Sequence, residues 1–202
     1  MKKTAVITVT SEGQGIREAL SMTERVGSEA GLDRKSALHL RLLSEEMFGM
    51  LRGIAGGVEA SYWLETEGKN FEIKMQADVK MTIEMREQFL SASKSGKNEA
   101  ARGFMGRIRV MIGSFLLSAK EALPYAMINS VASMPISGYA GESSAVWSLA
   151  LYRAEVQKHA AENVEAEAAW DELEKSIVAN IADDVKVGVK GNHVDLTVCK
   201  SF

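Results

Sequence analysis

Apolar and polar positions along this 202-residue chain follow either the two-residue rhythm of strands or the three-to-four-residue rhythm of helices. Residues 4 to 10 are β-branched and alternating, which predicts a strand ended by Ser11-Glu12-Gly13. Ile16, Leu20, Thr23 and Val26 then recur at helical spacing, predicting an amphipathic helix over 14–30 that Gly31 stops. Asp33 suits the N-cap of a second helix. On that helix Leu38, Leu42, Glu45 and Gly49 form one stripe, and Leu40, Leu43, Met47, Met50 and Ile54 form the stripe beside it. Gly53, Gly56 and Gly57 mark its end.

Val58–Thr66 and Phe71–Ala77 read as a hairpin around Glu67-Gly68-Lys69-Asn70. In its second strand Phe71, Ile73, Met75 and Ala77 alternate with polar residues, so one face is buried. A short helix over 82–89, a loop over 91–98 and a longer helix over 99–123, closed by Pro124, are predicted next. Residues 124–142 look like an extended connection. Residues 147–151 fit a strand and a helix equally well. Helical patterning returns over 153–160 and 166–182, and a second hairpin pairs 185–189 with 193–199 across Lys190-Gly191-Asn192. Two hairpins and a set of amphipathic helices predict an α+β fold: a largely antiparallel sheet with helices gathered on one face.

Composition narrows the class. With 46% hydrophobic and 25% charged residues the chain is globular, and 202 residues suit a single domain carrying an insertion. One cysteine, Cys199, excludes a disulfide framework and a cysteine-built zinc site. The most apolar stretch, 104–123, contains Arg107, Arg109, Lys120 and Glu121, and no apolar run follows the basic start, so neither a membrane span nor a leader is expected and the protein reads as cytoplasmic. The net charge of −3 divides unevenly. Residues 94–120 hold six basic residues against one acidic, and 155–184 hold nine acidic against two lysines. The acidic stretch reads as a solvated helix face or a surface for a partner. Nothing interleaves basic and aromatic residues as nucleic-acid binding requires.

Candidate chemistry lies in two places. Glu45 shares a helix stripe with apolar residues, which points either to a pocket that pairs its carboxylate or to a solvated edge shared with Glu46. The run from Ser93 to Gly106 gathers small residues and the cations Lys94, Lys97 and Arg102 near a helix start, where free N–H groups favour an anion. An ordinary basic loop fits it equally well, and the Gly96-Lys97 pair lacks the rest of a phosphate-binding P-loop. The histidines, His39, His159 and His193, fall on separate elements with no ligand-like spacing, so no metal site or catalytic triad is read from them.

The layout of strand, helix, a helix carrying Leu42-Leu43-Ser44-Glu45-Glu46-Met47-Phe48-Gly49-Met50, and hairpin resembles the GHKL, or Bergerat-fold, ATPases, and among them the bacterial anti-sigma-factor serine kinases. The resemblance covers residues 4–112 and 185–199 and makes 124–182 a helical insertion in a two-layer sandwich. It implies a pocket for ATP or a related nucleotide, with Glu45 polarising the attacking group. Gly49 stands where the family's Asn holds magnesium, and the family's Asp-x-Gly-x-Gly corresponds to Gln76-Ala77-Asp78-Val79-Lys80-Met81, which keeps Asp78 but not the glycines. The lid and glycine box would map onto Ser95, Gly96, Lys97, Asn98, Arg102, Gly103 and Gly106. The closing run Gly191 to Val198 is similar to the family's last strand. The resemblance thus implies nucleotide binding more than magnesium-dependent transfer. A member active in transfer would be a protein serine kinase, and a ligand-free one an interaction scaffold. The implied partner is a protein, with a homodimer left open.

Overall fold

The computed structural model describes residues 1–52, 57–80, 144–159 and 164–202, together with Ile108, Ile112, Gly113 and Leu116. Its elements are β1 (Lys2–Lys3), β2 (Ile7–Thr10), α1 (Ile16–Glu29), α2 (Arg34–Arg52), β3 (Glu59–Glu67), β4 (Asn70–Asp78), β5 (Ser144–Ser148), α3 (Leu149–His159), α4 (Val164–Lys175), α5 (Ile177–Ile181), β6 (Asp184–Lys190) and β7 (His193–Ser201). The expected α+β class is observed: seven strands form one antiparallel sheet in the order β1-β3-β4-β7-β6-β5, with β2 beside β1 on β3. The strand expected over 4–10 begins only at Ile7, and a separate short strand, β1, precedes it. Thr4 turns its hydroxyl onto the Leu64 amide at 3.1 Å, so β1 and β2 pair with β3 separately. The helix expected over 82–89, the loop over 91–98 and the connection over 124–142 lie outside the described residues. Of the segment 99–123, Ile108, Ile112, Gly113 and Leu116 are helical, and Ile108 and Ile112 are buried in the core.

Local chemistry sets the junctions. Gly15 opens α1 with φ +73°, and a Cβ there would stand 2.0 Å from the Thr8 carbonyl oxygen, so no other residue fits that turn. Asp33 caps α2 by accepting from the Ser36 amide at 2.8 Å, a bond that also holds its carboxyl below the usual range. Ser148 resolves the strand-or-helix ambiguity at 147–151, because both are present. Its hydroxyl donates to Asp184 on β6 at 3.0 Å and accepts from the Leu151 amide, while Asp184 takes the Ala150 amide. β5 therefore ends and α3 begins at one residue. Ser176 likewise divides the helix expected over 166–182 by capping α5 at the Ala179 amide.

Register aligns one buried row across the sheet: Tyr62, Met75, Leu196, Val187 and Trp147, on β3, β4, β7, β6 and β5. The buried stripes of α1 and α2 pack on it, together with Leu149, Tyr152 and Val156 of α3, in one continuous core. The opposite face carries the alternate residues, among them Ser61, Lys74, Gln76, Asp78, Asp195 and Lys186. Within the stretch 124–182 expected as an insertion, the described residues 144–159 and 164–182 supply an edge strand of this sheet and part of this core. No helix among the described residues is long and apolar enough to cross a membrane.

Candidate functional site

Of the two stripes of α2, one is buried. Leu40, Leu43, Ser44, Met47, Phe48, Met50 and Leu51 face the core, so the neighbouring stripe turns outward. Leu38 is 53% exposed, Glu45 is half-buried and Gly49 is exposed. Glu45 is not an orphan there. Its Oε1 accepts from Arg41 Nε at 2.8 Å, one helical turn back, and the Arg41 guanidinium also reaches Glu24 on α1. These two carboxylates raise the proton affinity of Arg41, with the hydrogen bond to Glu45 as the larger cause. A Cβ at Gly49 would meet nothing within 4 Å, so the position is open space. Without a side chain it offers no donor to a metal, and the magnesium ligand of the resemblance has no equivalent there.

Beneath that stripe a chain of hydroxyls ties the helices to the sheet. Tyr62 Oη lies 2.9 Å from Ser44 Oγ and 2.7 Å from Thr23 Oγ1, while Ser44 and Thr23 reach the carbonyls of Leu40 and Ala19. Burial pushes the Tyr62 phenol up to about 12, against the opposing pull of its two hydroxyl partners. This chain sets how α2 is rotated and hence that Glu45, next in sequence to Ser44, opens outward.

Asp78 takes a different direction. It is the last residue of β4 and shares the face of Lys74 and Gln76, opposite the helical layer, so it is not brought together with Glu45. Asp78 Oδ1 lies 3.0 Å from His193 Nδ1, and His193 Nε2 lies 3.5 Å from Asp195 Oδ1. Asp195 also accepts from Gln76 Nε2. Gln76, Asp78 and His193, with Thr8, Glu59 and Ser61, border an open cleft of about 500 Å³. Its His193 was missed by sequence spacing because the pairing of β4 with β7 joins residues 115 positions apart. The period-two pattern carried a partial signal, since it puts His193 and Asp195 on the polar face of the last strand.

Ser95, Gly96, Lys97, Asn98, Arg102, Gly103 and Gly106 lie outside the described residues. His39 and His159 are on α2 and α3, and His159 pairs with Glu155 at 3.0 Å, one turn away. Among the described residues no three His, Cys, Asp or Glu side chains are grouped to hold a metal ion. No protein-family model, no curated protein and no solved structure matches the chain.

Proposed function

We propose that the chain is a regulatory binding module of the histidine-kinase-like ATPase type, which takes ATP or a related nucleotide and passes its occupancy to a protein partner. One observation carries the reading: β2, α1, α2, the β3–β4 hairpin and the closing β6–β7 hairpin form a single two-layer sandwich in the succession the resemblance implies. The rim of α2 then offers Leu42, Glu45 and Gly49, and the sequence after β4 contains the basic run from Lys94 to Arg107. The chemistry favours holding a nucleotide over transferring its phosphate. Glu45 is already paired with Arg41, and Gly49 supplies no ligand through which a metal would neutralise developing phosphate charge. Lys97 and Arg102 would meet phosphate directly, as charge-assisted donors.

Calorimetric titration of the full chain with a non-hydrolysable ATP analogue, with and without magnesium, tests this. The expected result is saturable heat that magnesium changes little and that Lys97→Ala weakens. No heat at millimolar analogue overturns the reading. The Arg41–Glu45 pair favours a second one, a scaffold that binds its partner without a ligand. It is marked by partner binding that Lys97→Ala leaves unchanged.

A further inference from the structure

Both ring nitrogens of His193 face a carboxylate, Asp78 at 3.0 Å and Asp195 at 3.5 Å. A neutral imidazole has one N–H and one lone pair and can donate to only one of them, whereas the imidazolium donates to both. The two contacts do different work. Asp195 lies two residues along the same strand, while Asp78 is the last residue of β4 and sits directly opposite His193 in register. The Asp78 contact therefore crosses between strands. Immediately beyond it the Val79 amide donates to the Asn192 carbonyl at 2.8 Å, across the same strand end.

The charges around the ring favour its cationic form. Asp78 faces it from β4, Asp195 from β7 itself and Lys190 from the register position opposite on β6, and Glu59 of β3 borders the same cleft. Three carboxylates thus stand against one ammonium. Asp195 is further fixed by Gln76 Nε2, so the ring enters a prearranged acceptor.

We propose that His193 is a proton-operated latch, which holds the end of β4 to the start of β7 more tightly when its ring is charged than when it is neutral. The proposal is independent of the nucleotide reading. The hydrogen bond that the ring donates to Asp78 raises the proton affinity of His193 above its ordinary value of 6.5, slight burial opposes this, and the charge of Asp195 adds to the rise. For a group raised on folding, the extra stability is complete below pH 6.5 and is lost as pH climbs through the raised midpoint. The latch is therefore tightest below pH 6.5 and loosens as pH climbs through the raised midpoint.

Proton NMR of the three histidine rings in the full chain between pH 5 and 9 tests the latch, with His193 assigned by its loss in His193→Gln. The His193 midpoint should lie above the ordinary value and fall in Asp78→Asn, and by less in Asp195→Asn. In parallel, the hydrogen-exchange protection factor of the Val79 amide should drop as the ring neutralises, by at most about tenfold for each unit by which the midpoint is raised. In His193→Gln that protection should not follow pH over the same window. An ordinary midpoint that Asp78→Asn leaves in place, or Val79 protection that ignores the titration, overturns the proposal.

Discussion

The two faces of the sheet use the same strands to opposite ends. On the helix-covered face the row Tyr62, Met75, Leu196, Val187 and Trp147 is buried throughout, and the Tyr62 hydroxyl in it is bonded on both sides. One register position away on the other face run Trp63, Lys74, Thr197, Lys186 and Ser148. Only Trp63 of these is buried, and charged neighbours help to cover it. Lys3 Nζ sits 4.5 Å above its ring, and its Nε1 donates to Glu65 at 2.9 Å. Lys74 bridges Glu65 and Glu72 at 2.8 and 2.9 Å. Its partial burial lowers the proton affinity of the ammonium, but those two carboxylates more than restore it. On the covered face, area withdrawn from water sets the energy, at roughly 1.5–3 kcal/mol for a large side chain. On the open face each ion pair is worth about 0.2–1 kcal/mol and weakens with salt. The first face fixes the fold, and the second is where charge can be adjusted without losing it.

Three substitutions break or sharpen that contrast. Leu64→Ala empties a fully buried site on the covered face and should cost about 3 kcal/mol in urea unfolding. A loss no larger than that of an open-face variant would erase the distinction. Tyr62→Phe should cost about 1 kcal/mol, because Thr23 and Ser44 keep their carbonyl partners when the phenol is removed. It also carries a pH signature. The buried phenol titrates at about 12 against 10.0 for a free one, so wild-type stability should fall between those values as the unfolded chain ionises first. Urea midpoints measured across that range should fall less steeply in Tyr62→Phe. Lys74→Met, which keeps the apolar stem and removes both ion pairs, should change stability by less than about 1 kcal/mol, and by less still in high salt. A large, salt-independent loss would mean that the open face is structural after all.

How much of this was legible depends on how far apart in sequence the deciding contacts lie. The β3–β4 hairpin and the Asp33 cap could be read because a turn and a cap are local, with the alternation of Phe71, Ile73, Met75 and Ala77 on one side and three residues from Asp33 to Ser36 on the other. On α2 both stripes were visible in the spacing, but periodicity alone does not say which one meets the sheet. Ser44 bonded to Tyr62 decides it, and turns Glu45 outward. At 147–151 the pattern was ambiguous because Ser148 ends a strand and starts a helix, a junction held by Asp184 thirty-six residues later. The carboxylate-flanked His193 was out of reach for the same reason. Its partner Asp78 arrives only once β4 and β7 are side by side.

That pairing also orders the making of the protein. β7 is synthesised after every other strand of the sheet, yet it lies between β4 and β6 in the interior. Until it emerges from the ribosome, β4 and β6 each present a row of unpaired amides and carbonyls, the former waiting through more than a hundred residues of synthesis. The two halves of the sheet are joined through β7, so the nascent chain is most open to wrong partners just before that strand emerges.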